Sequence, residues 1–321
     1  MGRYIVRRLI YVVVVVLAVT LLAFVIFFVL PSQDPAVAFA GRNPTPEVVE
    51  QIRKDLGLDK PVPVQYGLYV KRLVTGDEFG WPGLGFSYHT RAPIKDEVSK
   101  RLSITLQIAI GGAILWMILG VAVGMLSALK RRTWWDRAAM TFALFGVSAP
   151  VFWLGLVSLY LFWQKWNLLP GTGYVSFADS PKEWFLHMIL PWSVLALLFA
   201  AVYARVVRGN MIDTMSEDYI RTARAKGIGE RQVVTKHAMR AGLSPIITLL
   251  GIDLALLIGN TVVTETVFNM PGLGNYILVS TDAGDLPAVL AVVVIASFAV
   301  AFLALVADVI HALLDPRIRL R

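Results

Sequence analysis

The sequence predicts an all-α polytopic membrane protein with six transmembrane helices, and composition and segmentation carry that prediction. Of the 321 residues, 57% are hydrophobic and 16% charged, whereas soluble domains carry about a quarter charged residues. Mean hydropathy is +0.66. A helix needs about 20 mostly apolar residues to cross the hydrocarbon core. Six segments qualify: 9–30, 102–129, 138–163, 187–206, 243–267 and 286–314. The fourth and fifth are the weaker pair, because Pro191 sits early in one and Asp253 lies inside the other.

An even number of spans puts both termini on one side, and Lys and Arg say which side. Arg3, Arg7 and Arg8 precede the first span, and Lys130, Arg131, Arg132 and Arg137 crowd the turn after the second. Between the fourth and fifth spans lie Arg205, Arg208, Arg221, Arg224, Lys226, Arg231, Lys236 and Arg240; Arg317, Arg319 and Arg321 close the chain. The opposite loops are poor in cations: 164–186 holds Lys165 and Lys182, and 268–285 holds none. Both termini are therefore expected in the cytoplasm. The net charge of +8 is thus a pattern of span flanks. It does not form a basic face with interleaved aromatics, which sets nucleic acid aside as a partner.

A cleavable signal peptide is the rival reading of the N-terminus, with Ala38-Phe39-Ala40 as a loose cleavage site. The apolar run from Leu9 to Leu30 is longer than the ~7–15 residues of a signal core. The first span is therefore kept.

Outside the lipid, the sequence divides into an N-terminal end and first span (1–30), an extracytoplasmic subdomain (31–101) and a permeation core (102–321). In the subdomain, Thr45 is placed to cap a helix with Pro46 at its first position and Glu47 in its first turn, ending at Gly57. The stretch Gly76–Tyr88 mixes glycine with Phe79, Trp81, Phe86 and Tyr88, the composition of turns resting on an interface. In the core, the loop 207–242 reads as two short helices. Ser216 is a good N-cap, Glu217 and Asp218 suit the first turn, and Arg224 and Lys226 suit the last. Gly227 supplies the stop, and a second helix runs from Glu230 to about Arg240. An ordinary amphipathic loop would share these features.

Soluble-enzyme chemistry finds no foothold. There is no Gly-x-x-x-x-Gly-Lys-[Ser/Thr], so the chain has no phosphate-cradling loop of its own. Cys is absent, and His89, His187, His237 and His311 are far apart, which leaves no recognisable metal motif. Polar residues within spans are the remaining candidates. Asp253, Asn260 and Thr264 are spaced by seven and four, so they share one helical face. With Glu265 they could line a watery path, or they could pair with neighbouring helices for packing. Glu265 and Asp308, near span ends, could instead be solvated. Gly120 and Gly124 permit close helix packing.

Asp218-Tyr219-Ile220-Arg221-Thr222-Ala223-Arg224-Ala225-Lys226-Gly227 closely resembles a signature of bacterial ABC importer permeases. More narrowly, it is similar to B-type subunits of the dipeptide/oligopeptide/nickel branch. The general motif, Glu-Ala-Ala followed three residues later by Gly, aligns on Gly227 with Arg221, Thr222 and Ala223 in its first three positions. The acidic residue is missing in the way the peptide branch lacks it, and Met239-Arg240 replaces the closing Leu-Pro. Leu30-Pro31, Asp34-Pro35, Gly57-Leu58-Asp59-Lys60-Pro61, Gln65-Tyr66, Glu265-Thr266-Val267-Phe268, Pro271-Gly272-Leu273-Gly274 and Asp315-Pro316-Arg317 resemble the same family, so the likeness covers nearly the whole chain. Glu78–Pro93 looks expanded relative to the family core.

The resemblance implies a type I importer architecture in a bacterial cytoplasmic membrane. A second homologous permease chain would complete a heterodimer, and one or two separate ATP-binding subunits would hold ATP and Mg. An extracytoplasmic binding protein would deliver peptide. The chain would bind no cofactor and would not be catalytic by itself. The coupling contact would fall on Asp218, Tyr219, Arg221, Thr222, Ala223, Arg224, Ala225, Lys226 and Gly227, within a 216–227 helix docked on an ATPase. The rival within transport is an ion-coupled secondary transporter, for which Asp253 is a hint but an internal repeat is lacking. A nickel-chelate importer remains within the family; a membrane anchor or receptor would need neither a polar face nor a capped cytoplasmic knob, and an intramembrane enzyme is a third alternative.

Overall fold

The computed structural model describes residues 2–31, 34–40, 44–87 and 89–314. Tyr88, Asp315, Pro316 and the terminal arginines of the sequence argument lie outside the described residues. In chain order the helices begin with α1 (Gly2–Phe24, continued by a π-helical turn Val25–Val29), α2 (Pro35–Phe39), α3 (Pro46–Leu56) and α4 (Val62–Thr75). A small hairpin, β1 (Phe86–Ser87) and β2 (Ala92–Pro93), follows. Then come α5 (Ile94–Leu129), α6 (Trp134–Ser148), α7 (Val151–Ser158, continued as a π-helix to Lys165) and α8 (Pro181–Ser216). The chain goes on with α9 (Asp218–Ala225), α10 (Glu230–Gln232, continued as a π-helix to Ala238), α11 (Met239–Gly242) and α12 (Ser244–Val267). It closes with α13 (Leu273–Ala283) and α14 (Leu286–Leu314). Four of these helices, those over 5–29, 94–129, 181–216 and 286–309, are long and apolar enough to cross a membrane.

The third expected span is not one straight helix. α6 and α7 are bent by 105° across the break between them. Pro150 has no N–H to donate and pushes the residue before it out of the helical region. Ala149 accordingly sits at φ −82°, ψ 130°. Pro191, by contrast, stays inside the unbroken 36 residues of α8. The fifth expected span coincides with a 24-residue helix, Ser244–Val267, that is not among those four, so four spans, or five with the bent pair counted as one, are found among the described residues where six were expected.

By contacts the chain forms two units. The first comprises residues 1–106 and 271–305. Here Phe24 is buried and stacks on Phe28 at 4.8 Å, while Tyr66 Oη donates to the Leu17 carbonyl at 3.1 Å, so α4 is tied to α1. Elsewhere α1 leaves Ile10, Val13 and Leu22 exposed, as a lipid-facing helix would. α3 starts at Pro46 and stops at Gly57, whose φ of +67° is the left-handed conformation that ends helices. Asp34 caps α2 through the Ala36 N–H at 2.9 Å and pairs with Arg53 of α3. Asp285 does similar work for α14, and its other oxygen accepts from Ser87 of the hairpin. Thr105 Oγ1 accepts from the Leu273 N–H at 2.8 Å, and Arg101 lies over the Tyr276 ring at 4.3 Å.

The second unit comprises 107–270 and 306 onward. Its core is built on the α5–α8 contact, where the two glycines carry out the close packing their spacing suggested. A Cβ at Gly120 would lie 2.6 Å from Tyr203 Cβ, and one at Gly124 would lie 2.5 Å from the Ala204 carbonyl oxygen. Only glycine allows backbones this near. Trp116, Tyr203, Val207 and Met211 are fully buried along this seam, and Trp116 stacks on Phe199 at 4.5 Å.

Candidate functional site

The loop expected to carry function folds as two helical pieces around a glycine stop, with its boundaries shifted. Ser216 does not cap α9: it is the last residue of α8, and its hydroxyl donates back to the Asp213 carbonyl at 2.7 Å. Glu217, in extended conformation at ψ 149°, takes the N-cap position without a side-chain bond. The reason is that α8 runs on ten residues past its apolar stretch, so the chain breaks one residue later. At the other end, the expectation for Gly227 holds. Its φ is +76°, the Gly227 N–H bonds the Arg224 carbonyl and the Ile228 N–H bonds the Ala223 carbonyl, which closes the helix in a Schellman turn.

α9 is amphipathic on a small scale. Ile220 and Ala223 are buried and join a core cluster with Met211, Val233 and Val234. The remaining predicted residues, Asp218, Tyr219, Arg221, Thr222, Arg224, Ala225, Lys226 and Gly227, are all exposed. Ala223 therefore anchors the helix, and the other eight form an outward surface. Arg224 fastens this surface to the next helix with a two-pronged pair to Glu230, at 3.0 and 2.7 Å. The hydrogen-bonded guanidinium holds the Glu230 carboxyl below its ordinary value. The second helix runs Glu230–Gly242, two residues past its expected end near Arg240, with a π-helical middle over Val233–Ala238. Beside Arg224 and Glu230 a groove of about 780 Å³ opens against Met125, Leu129 and Met215.

Sequence reasoning missed the clamp above this loop. Asp136, at the start of α6, is buried and accepts from Arg208 Nε at 2.7 Å and Nη2 at 2.8 Å. It also accepts from Ser127 of α5 and from the Arg132 N–H. One carboxylate thus joins α5, α6 and α8. Its partner lies 72 residues away in sequence, and the one available signal was an acidic residue set among four cations. Gln107 was missed as well: its side-chain oxygen accepts from Trp184 Nε1 at 2.6 Å and Tyr174 Oη at 3.3 Å.

The polar residues of α12 share a face by spacing but not an environment. Asp253 is half-buried and accepts from the Tyr203 hydroxyl at 2.7 Å, so it serves the α8–α12 contact. Asn260 is exposed. Thr264 is buried, and its hydroxyl has no hydrogen-bond partner among the described residues. Glu265 corrects the expectation of a solvated span end, since it is fully buried. At Gly155 of α7 a Cβ would lie 2.8 Å from Val267 Cγ1, so glycine there lets α7 pass close to the end of α12.

Long apolar helices, a glycine-packed core and an outward-facing short helix between two of them define a polytopic membrane protein. The match to known proteins is extensive. The family model for the N-terminal membrane component of binding-protein-dependent transport systems matches residues 1–109, and that for the inner membrane component of the same systems matches 120–320. The chain belongs to this family, the inner membrane components of binding-protein-dependent transport systems. A Brucella abortus protein named as a peptide transport system permease is 37% identical over 319 residues, covering 99% of each chain. The glutathione transport system permease protein of Escherichia coli K12 is likewise 37% identical over 319 residues, again covering 99% of each. The fold is shared with the MetNI methionine ABC transporter in its inward-facing form, with a TM-score of 0.53 at 17% identity over 70% of this chain and 98% of that one.

Proposed function

We propose that this chain is one permease half of an ATP-driven peptide importer, with both termini cytoplasmic and α9 as its contact with a separate ATPase subunit. The observation that carries the reading is the surface of α9: eight predicted coupling residues point outward from a helix anchored by Ile220 and Ala223. A helix built to be held from behind and exposed in front suits docking into a partner's groove. The relatives named for peptide and glutathione transport support peptides as the substrate class, glutathione being a short peptide itself. In this reading a second permease chain completes the path, and a binding protein supplies substrate on the far side. ATP and Mg sit on the ATPase, whose affinity for two permease states sets their balance.

The test is a co-purification from native membranes, with Gly227→Pro and Arg221→Glu variants alongside. Recovery of an ATPase and a second permease, weakened in both variants together with peptide uptake, is the expected result. A chain recovered alone, with uptake unchanged by either variant, would return the ion-coupled transporter.

A further inference from the structure

Within the first unit, a cavity of about 390 Å³ lies among α3, α4, the 77–86 loop and the start of α14. Its floor is apolar and aromatic: Phe28, Phe39, Ile52, Tyr69 and Leu290. One cation enters it. Arg72 of α4 is half-buried, and among the described residues its guanidinium makes no hydrogen bond or ion pair. Asp55 and Asp77 act on it electrostatically without reaching it, and burial pulls it below its ordinary value. A half-buried guanidinium normally also hydrogen-bonds a carboxylate or phosphate, because distant charges offset its desolvation only in part.

The acids around it divide into two kinds. Asp77 is used by the fold, accepting the Phe79 N–H at 2.9 Å and the Gly85 N–H at 2.8 Å. Asp55 and Glu78 are exposed at the cavity's edge, and their carboxylates make no hydrogen bond or ion pair among the described residues. The wall is held in place by Gly83, where a Cβ would lie 2.4 Å from the Arg72 carbonyl oxygen. The cavity therefore offers one cation inside and two acids at its edge, none of their charged groups hydrogen-bonded among the described residues, with an aromatic floor between. A phosphate or fatty carboxylate would satisfy Arg72 but meet repulsion at the rim. A metal ion would meet the reverse. A zwitterion with an apolar body satisfies all three, and the volume falls at the small end of ligand pockets, about 300–1,000 Å³.

We propose that this cavity is a subsite for a zwitterionic ligand of dipeptide size, with Arg72 receiving the carboxylate, Asp55 and Glu78 the ammonium, and the aromatic floor the side chain. The assignment rests on the peptide-import reading and sharpens it: the permease itself, away from α12, inspects both termini of a short peptide.

The experiment is equilibrium dialysis of labelled Ala-Phe against the full-length chain in lipid nanodiscs, with the C-terminal amide and the N-acetyl derivative as ligand-side controls. Each modification should weaken binding to the unaltered chain roughly tenfold, the worth of a charge-assisted contact. In Arg72→Gln, amidation should cost nothing further, while Arg72→Lys keeps part of the discrimination. In the Asp55→Asn/Glu78→Gln double variant, acetylation should cost nothing further. Equal binding of all three ligands to the unaltered chain would overturn the proposal without any question of misfolding. So would laurate displacing Ala-Phe and binding the double variant more tightly, which would make the cavity an anionic-amphiphile site. Peptide uptake by intact cells separates the two readings. Uptake without the terminus-dependent binding removes the subsite and leaves the importer; the binding signature without uptake does the reverse.

Discussion

Two arginine–carboxylate forks lie in the second unit, and they differ in surroundings more than in geometry. Arg208–Asp136 has contacts of 2.7 and 2.8 Å with side chains 28% and 6% exposed; Arg224–Glu230 has contacts of 3.0 and 2.7 Å with side chains 39% and 58% exposed. Around Asp136, Ser127 and the Arg132 N–H satisfy the remaining acceptor sites, so the ion is fully solvated by protein. Around Glu230 water does that work. The first fork is therefore a fixture of the helical frame, because losing either partner strands a buried charge. The second is a fastener that water can replace at little cost. The buried fork thus ties α5, α6 and α8 together, whereas the short helix is held mainly by Ile220 and Ala223.

The largest effect should follow from breaking the buried fork. Asp136→Ala leaves Arg208 partly buried without its partner and should destabilise the solubilised chain by about 3 kcal/mol, the low end for such a loss because Arg208 keeps some water. A thermal melt in detergent checks this, and a shift no larger than that of a surface variant would contradict the comparison. Next, Gly124→Leu should cost about 1–3 kcal/mol by forcing α5 away from Ala204 and Val207. If the frame is one unit, its melt should be sub-additive with that of Asp136→Ala.

On the loop side, Gly227→Ala meets nothing within 4 Å, so only its φ of +76° matters. About 1–2 kcal/mol of local strain follows, and it should fray α9 and lower ATPase recovery while leaving the melt of the frame in place. The smallest effect belongs to Glu230→Gln, less than about 1 kcal/mol for so exposed a pair. Its pH dependence has a definite sign. The Glu230 carboxyl is held below its ordinary 4.5 by the Arg224 hydrogen bonds, so its contribution is complete above that ordinary value and is lost as pH falls through the lowered one. Hydrogen exchange of α9 amides should therefore become indistinguishable between the variant and the unaltered chain at acid pH, and a difference that grows on acidification would refute this.

Features that depend on neighbours along the chain were legible in advance. Gly57 and Gly227 end helices because their own φ is positive, and Gly120 and Gly124 stand one turn apart on one face. Features that depend on what lies across the fold were not. The sequence cannot tell which of the basic residues meets Asp136, because the meeting requires α8 to pass α5 and α6 at the right height. Glu265 looked like a span end by position, yet it is buried by helices whose approach is a tertiary matter. Pro150, inside a run read as one uninterrupted span, breaks its helix; Pro191, which was read as a weak point, leaves its helix whole. The same residue type gives two outcomes because surrounding packing decides whether a lost hydrogen bond bends the chain.

α8 is 36 residues long without a break, about 54 Å at the helical rise. A bilayer's hydrocarbon layer is about 30 Å thick. Some two-fifths of the rod therefore lies outside that layer, and its far end leads directly into α9 through the single residue Glu217. The only joint between this rod and α9 is that one extended residue. A force applied to α9 would reach Tyr203 and its bond to Asp253 through one joint and a continuous helix, with no long loop between.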